Sequence, residues 1–265
     1  MNDLLRDLQP ETLLSGLTGK GVSVAILDSG LDLVHPMMEG VRSRLKSCGS
    51  FLTRSYQPFE QPTDPFGHGT PVSWIVNDTA PEAELHFIRV LSEEGTCDPE
   101  VFQGALEYVI KQDIRVVNLS LGLDQGVNDY WRSRFLELVD QAYYRDITLV
   151  AAASNNFDWI VPASFSSVVS VNSDYFRDPM AFRLRERSKV LYGPKPRIWL
   201  DAQGDMVRAP RAGTDSHFYY IGTSFAAPRV AGIVALLLER YPDLKPFEVK
   251  TLLYRLGLHH ERQAT

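Results

Sequence analysis

VSVAIL, Val22–Leu27, is a short, mostly apolar run rich in β-branched residues, and it stops at Asp28-Ser29-Gly30. A short run of that kind, ended by a turn, is a strand buried on both faces. Outward from it, LHFIRVL (Leu85–Leu91) follows the turn signal Ala80-Pro81, and RVVNL (Arg115–Leu119), ITLVAAA (Ile147–Ala153) and Val168–Val171 repeat the pattern. Helical stretches lie between them. Val101–Lys111 sets Val101, Ala105, Tyr108 and Val109 on one face, and Arg134–Tyr144 also reads as a helix. Strands separated by such helices are βαβ units, so the expected fold is α/β, a three-layer sandwich with a largely parallel central sheet. In such sheets the loops at the carboxyl ends of strands carry the site. Asp28, Ser120 and Asn155 each sit in such a loop.

The composition suits a folded chain: 265 residues, 44% hydrophobic, 23% charged, with neither an internal repeat nor a low-complexity tract. No linker divides it, so 1–265 is expected to be one domain, with 1–20 a short N-terminal extension and no sizeable pro-region. A net charge of −6 gives no basic footprint for nucleic acid. No apolar run reaches the ~18 residues of a membrane span, and the acids among the leucines of MNDLLRDLQPETLLSGL exclude a signal peptide. The expected location is therefore cytoplasmic. Cys48 and Cys97 are too few for a disulfide framework or a zinc site, and are read as unpaired thiols.

SFAAPRVAGIVALLLER, Ser224–Arg240, is apolar nearly all round and reads as a helix buried inside the domain. Pro228 is expected at the end of its first turn, where its missing amide costs nothing. The basic stretch Arg183–Arg197 reads as a solvated surface loop.

Three local sequences carry chemistry: Asp28-Ser29-Gly30, Gly67-His68-Gly69-Thr70 and Gly222-Thr223-Ser224. Each alone is ordinary: a turn, a structural histidine, a helix N-cap. Together they supply a carboxylate, an imidazole and a hydroxyl. Ser224 at a helix start would lie beside unpaired amides that favour a developing oxyanion. A buried Asp28 would fix the tautomer of His68. The three are spaced by 40 and 156 residues, so only folding could join them.

VAILDSGLDLVHP (Val24–Pro36), FGHGT (Phe66–Thr70) and IGTSFAAPRVAGIVALLL (Ile221–Leu238) resemble, in order, the three catalytic blocks of the subtilisin-like serine proteases. VVNLSLG (Val116–Gly122), VAAASNN (Val150–Asn156) and PASFSSVVSV (Pro162–Val171) extend the resemblance from about Gly16 to Leu258. It implies a subtilisin-like sandwich and a serine endopeptidase working through an acyl-enzyme. Asp28, His68 and Ser224 would be its triad, and Asn155 an oxyanion donor beside the Ser224 amide. Ser120, Leu121 and Gly122, with Ala152, Ala153 and Ser154, would wall the pocket for the residue before the cleaved bond. Glu93 and Glu94 would lie where upstream substrate residues bind and favour basic ones. The implied partner is a polypeptide, with neither nucleic acid nor membrane.

The chain departs from the family pattern at Pro71 and Trp74, after the histidine, and at Ser154, where glycine is usual. The loop that binds calcium in relatives is reduced to Asn77–Ala80, so neither a metal nor another cofactor is expected. These features suggest a selective intracellular processing protease. An acyl- or peptidyl-transferase and a weakly active pseudoprotease that only binds are the alternatives.

Overall fold

The computed structural model describes residues 13–123, 128–156, 159–186 and 198–263. In chain order the strands are β1 (Ser23–Asp28), β2 (Leu45–Ser50), β3 (Gln57–Pro58), β4 (Glu84–Arg89), β5 (Val116–Leu119), β6 (Thr148–Ala152), β7 (Val169–Asp174), β8 (Phe182–Glu186), β9 (Ile198–Gln203), β10 (Val207–Pro210) and β11 (His217–Tyr220). The helices are α1 (Glu39–Arg44), α2 (Gly69–Thr79), α3 (Pro99–Ile110), α4 (Asp129–Tyr144), α5 (Thr223–Arg240) and α6 (Pro246–Gln263).

Among the described residues nine strands form one sheet in the order β3-β2-β4-β1-β5-β6-β7-β9-β8, and β10 pairs with β11 apart from it. Pairing is parallel from β2 through β9 and antiparallel only where β3 and β8 close the edges. β1 is central because both its faces are apolar. Val24 and Ile26 point into a core shared with α2, α5 and α6, while Ala25 and Leu27 point into a second core with α3 and α4. The two-residue period of a strand thus feeds both layers of helices. The expected α/β sandwich is the observed one.

α5 runs through the first core, with every residue from Phe225 to Leu238 buried. Deleting one of its leucine side chains would cost about 2–5 kcal/mol. It packs closely on α2 at Gly232, where a Cβ would run into the side chain of Thr79. α5 begins at Thr223, so Ser224 is its second residue and Pro228 lies inside the helix rather than at the end of its first turn. Pro228 does remove a hydrogen bond, the one its amide would have given to the carbonyl of Ser224.

The reading of Arg183–Arg197 as a solvated loop is corrected in its first part. Arg183 and Arg185 lie on β8, and both bind the carboxylate of Asp201, buried on β9, with Arg183 also reaching Asp174. Asp201 further accepts from Trp199 Nε1 and Asn172 Nδ2. A buried carboxylate needs such partners, and two arginines supply them. Residues 187–197 lie outside the described residues.

Candidate active site

β1 ends in Asp28, fully buried, and Asp28 Oδ1 accepts from the amide of Ser29 at 2.7 Å and from His68 Nδ1 at 2.8 Å. Because a carboxylate oxygen takes that bond, Nδ1 carries the proton and Nε2 of the neutral ring is left to accept. Asp28 Oδ2 has no partner among the described residues. Burial pushes the His68 imidazole down, but the Asp28 charge, its hydrogen bond and the Asp64 charge together hold the ring above its usual value.

His68 occupies the N-cap position of α2 and makes no capping bond with its side chain. Its ring lies between Phe66 and Phe225, with centroids 6.2 and 5.2 Å away. Phe225 follows Ser224, so the start of α5 meets the start of α2 here. Pro71 is buried in the first turn of α2 and Trp74 packs partly buried against the first core, so both departures from the family pattern are accommodated. Asn77 and Thr79 lie within α2.

Ser224 Oγ donates to the carbonyl of Ser120 at 3.2 Å, and makes no hydrogen bond to His68 in this arrangement among the described residues. Ser120 Oγ donates in turn to the Ser224 carbonyl at 2.8 Å, and accepts from Asn118 Nδ2 at 3.0 Å. The N-cap of α5 is Gly222, at φ 141°, with no side-chain cap. Asn155 Oδ1 accepts from the amide of Thr223 at 3.1 Å, and among the described residues Nδ2 of Asn155 and the amide of Ser224 remain as open donors.

Ser120, Leu121 and Gly122 follow β5, and Ala152, Ala153 and Ser154 finish β6 and its loop, on adjacent strands. The sequence reading missed Ile160. A Cβ on Gly122 would lie 2.6 Å from Ile160 Cγ1, and Leu123 bridges Val161 next to it. Ser154 Oγ accepts from the Asn156 amide at 3.2 Å. Glu93 and Glu94 stand exposed in the turn after β4, Glu93 4.0 Å from Arg89 and Glu94 accepting from Ser92 Oγ at 2.8 Å. Gly95 of that turn packs on the ring of Phe66, which ties the acidic turn to the loop that holds His68. Asp64, buried beside Asp28, was also missed. Its signal in the sequence is only an acid four residues ahead of the histidine, in a turn.

Cys48 and Cys97 are free, and burial pushes both thiols up to about 12, so neither is a nucleophile at neutral pH. No described helix is long and apolar enough to cross a membrane.

A hydrogen-bonded carboxylate and imidazole thus lie at one end of a parallel sheet, near the helix start that carries Ser224, and these are parts from which serine hydrolases are built. The comparisons specify it further. The profile of the Subtilase family matches residues 19–256. The thermostable alkaline protease of Halalkalibacterium halodurans is 31% identical over 94% of this chain and 69% of its own, and serine protease AprX of Bacillus subtilis is 29% identical over 89% and 61%. A cold-adapted subtilisin-like serine proteinase superposes with a TM-score of 0.67 at 22% identity, covering 89% of this chain and 82% of that one. The chain belongs to the subtilase family and is a serine endopeptidase.

Proposed function

We propose that Ser224 is the nucleophile, His68 its general base and Asp28 the group that orients and stabilises the imidazole. The observation that carries this reading is the 2.8 Å bond from His68 Nδ1 to a fully buried carboxylate, beside a serine at an uncapped helix start. A rotation about the Ser224 Cα–Cβ bond would release Oγ from the Ser120 carbonyl toward Nε2, the kind of tightening expected when substrate enters.

In the first step Oγ attacks the scissile carbonyl as Nε2 takes its proton. The carbonyl becomes an oxyanion that receives the Ser224 amide and Asn155 Nδ2. The imidazolium, held by Asp28, then protonates the leaving amine as the C–N bond breaks, giving an acyl-enzyme. Water repeats the sequence, with His68 again as base, and releases the acid. Ser120–Gly122 and Ala152–Ser154, floored by Ile160, would hold the residue before the cleaved bond. Glu93 and Glu94 would favour basic residues further upstream. The exposure of both acids and the nearness of Arg89 make that preference a modest one.

The physiological role we infer is selective processing of polypeptides inside the cell. Two unpaired cysteines are what a reducing compartment permits. The test is labelling with a fluorophosphonate followed by peptide mapping. Ser224 should be the modified residue, and Ser224→Ala and His68→Ala should each lose orders of magnitude in kcat while folding normally. Full activity in either variant would overturn the assignment. Cleavage products from a diverse peptide library would then show whether sites are few and whether Lys or Arg is enriched upstream.

A further inference from the structure

His68 stands where a helix normally keeps a Ser, Thr, Asp or Asn to receive its first amides, yet its ring gives α2 no such bond. Those amides are nevertheless all met. Ser29 Oγ accepts from the amides of His68 at 3.2 Å and Gly69 at 2.9 Å. Asp64 Oδ2 accepts from the amide of Thr70 at 2.8 Å. Pro71, next in line, has no amide to satisfy, and Val72 bonds back to the His68 carbonyl at 3.3 Å.

Asp64 also organises the hydroxyls. Ser29 Oγ donates to Asp64 Oδ1 at 2.6 Å, Thr70 Oγ1 donates to Oδ2 at 2.7 Å, and the Gly67 amide donates to Oδ1 at 2.9 Å. Thr70 Oγ1 at the same time accepts from the amide of Asp32. Both hydroxyls accept from amides, so their protons are committed to Asp64. Its two oxygens then face four donors, an arrangement that favours the ionised carboxylate. Burial first, and also the Asp28 charge, hold this carboxyl above the usual carboxylate range, against the pull of the Ser29 and Thr70 donors. The carboxylate cannot drift from its place. Leu31 bonds to the Thr63 carbonyl at 3.2 Å, and Gly30, at φ 158°, is there because a Cβ would run into Thr63 and Asp64.

We propose that Asp64 is a positioning residue for His68: it takes over the capping of α2 from outside the helix, so that the residue at the N-cap position is free for proton transfer, and it places a second negative charge behind Asp28. The inference rests on the assignment of His68 as the base. The titratable groups facing this cluster are Asp28 from β1, Tyr220 from β11, and Cys97 beside Asp28 from the segment before α3. Tyr220 and Cys97 are neutral at working pH, because burial first, and then Asp64 on Tyr220 and the acids Asp98 and Asp28 on Cys97, push their protons on more tightly. Asp28 and Asp64 are thus the charges that face the imidazole, and both favour its protonated form.

The experiment titrates His68 by NMR of ring-labelled histidine in the full chain, in a Ser224→Ala background, with and without Asp64→Asn, and sets this beside the pH profile of kcat/KM for Asp64→Asn with Ser224 intact. The expected result is a His68 titration at lower pH in Asp64→Asn, an acid limb of kcat/KM that moves with it, and kcat reduced about tenfold or more from the loosened imidazole while KM changes little. A folded Asp64→Asn protein with an unmoved His68 titration and unchanged kcat overturns the proposal. Should Asp64→Asn not fold, Ser29→Ala decides. It cuts the bridge to the His68 and Gly69 amides and keeps the charge, so kcat should fall with the limb in place, and unchanged kcat overturns the proposal. Activity surviving in His68→Ala would instead remove the assignment of the base, whatever the NMR shows.

Discussion

Ser120 and Ser224 exchange hydrogen bonds in both directions, hydroxyl to carbonyl, at 2.8 and 3.2 Å. The shorter one answers a deficit inside α5. Pro228 has no amide for the Ser224 carbonyl, and Ser120 Oγ stands in for it. A proline in the interior of a buried helix is thus matched by a serine from the loop after β5, and the match ties the backbone of the proposed nucleophile to the proposed pocket wall.

Ser120→Ala should therefore leave a partly buried carbonyl unpaired and destabilise the fold by about 1–3 kcal/mol. Pro228→Ala restores an amide to that carbonyl, so adding it to Ser120→Ala should recover part of the loss. Urea unfolding of the two single variants and the double variant measures the coupling. Strictly additive effects would mean that the two residues do not share the Ser224 carbonyl.

The His68 ring titrates above its ordinary value of about 6.5, because the Asp28 charge and bond and the Asp64 charge outweigh burial. As a base it must be neutral, so kcat/KM should rise with pH through that raised value and then level off. Stability runs the other way. The ion pair contributes fully below the unfolded pKa and is lost as pH rises through the folded one. Denaturation of Ser224→Ala at acidic and alkaline pH, compared with the same protein carrying His68→Ala, should show that difference shrink as pH rises. Asp28→Asn should lower kcat by about 10³–10⁴ through the wrong tautomer.

Removing an oxyanion donor costs subtilisin, a member of the same family, about 10²–10³ in kcat, and Asn155→Ala is expected to cost the same order with KM little changed. Asn155 also accepts from the Thr223 amide. Asn155→Asp, which keeps that acceptor and loses the donor, should therefore be nearly as slow as Asn155→Ala. Activity close to that of the unaltered enzyme in Asn155→Asp would assign the effect to the start of α5 instead.

Ile160 fills the space that a side chain at Gly122 would take. Ile160→Ala should open the floor between the two walls and raise kcat/KM for larger apolar residues before the cleaved bond, by about 10–200-fold relative to small ones. Competition between peptides differing only at that residue reads the ratio directly, and an unchanged ratio would place the pocket elsewhere.

What was legible in the sequence follows from physics. β1, β4, β5 and β6 are largely buried, so apolar residues dominate them and their ends were read to within a residue or two. β2, LKSCGS, lies toward an edge and is only half-buried, so nothing in its composition marks a strand. Arg183 and Arg185 look like solvated charge until Asp201, distant in sequence, is set between them. At the proposed site, Asp28, His68 and Ser224 could be singled out because each sits in a local pattern. Asp64 could not, because the role proposed for it lies in hydrogen bonds to Ser29 and Thr70, which only the folded chain brings within reach.

The antiparallel edges of the sheet have a meaning of their own in a peptidase. An extended segment with unpaired amides is the shape that such an enzyme grips and cuts, and an open border of a parallel sheet would offer one to every neighbouring copy. Here one border is two residues long and ends in Pro58, and the other carries Arg183, Arg185 and Glu186 along its length. Short, proline-bearing or charged borders resist pairing with another chain. Borders built in this way give a neighbouring copy little to pair with.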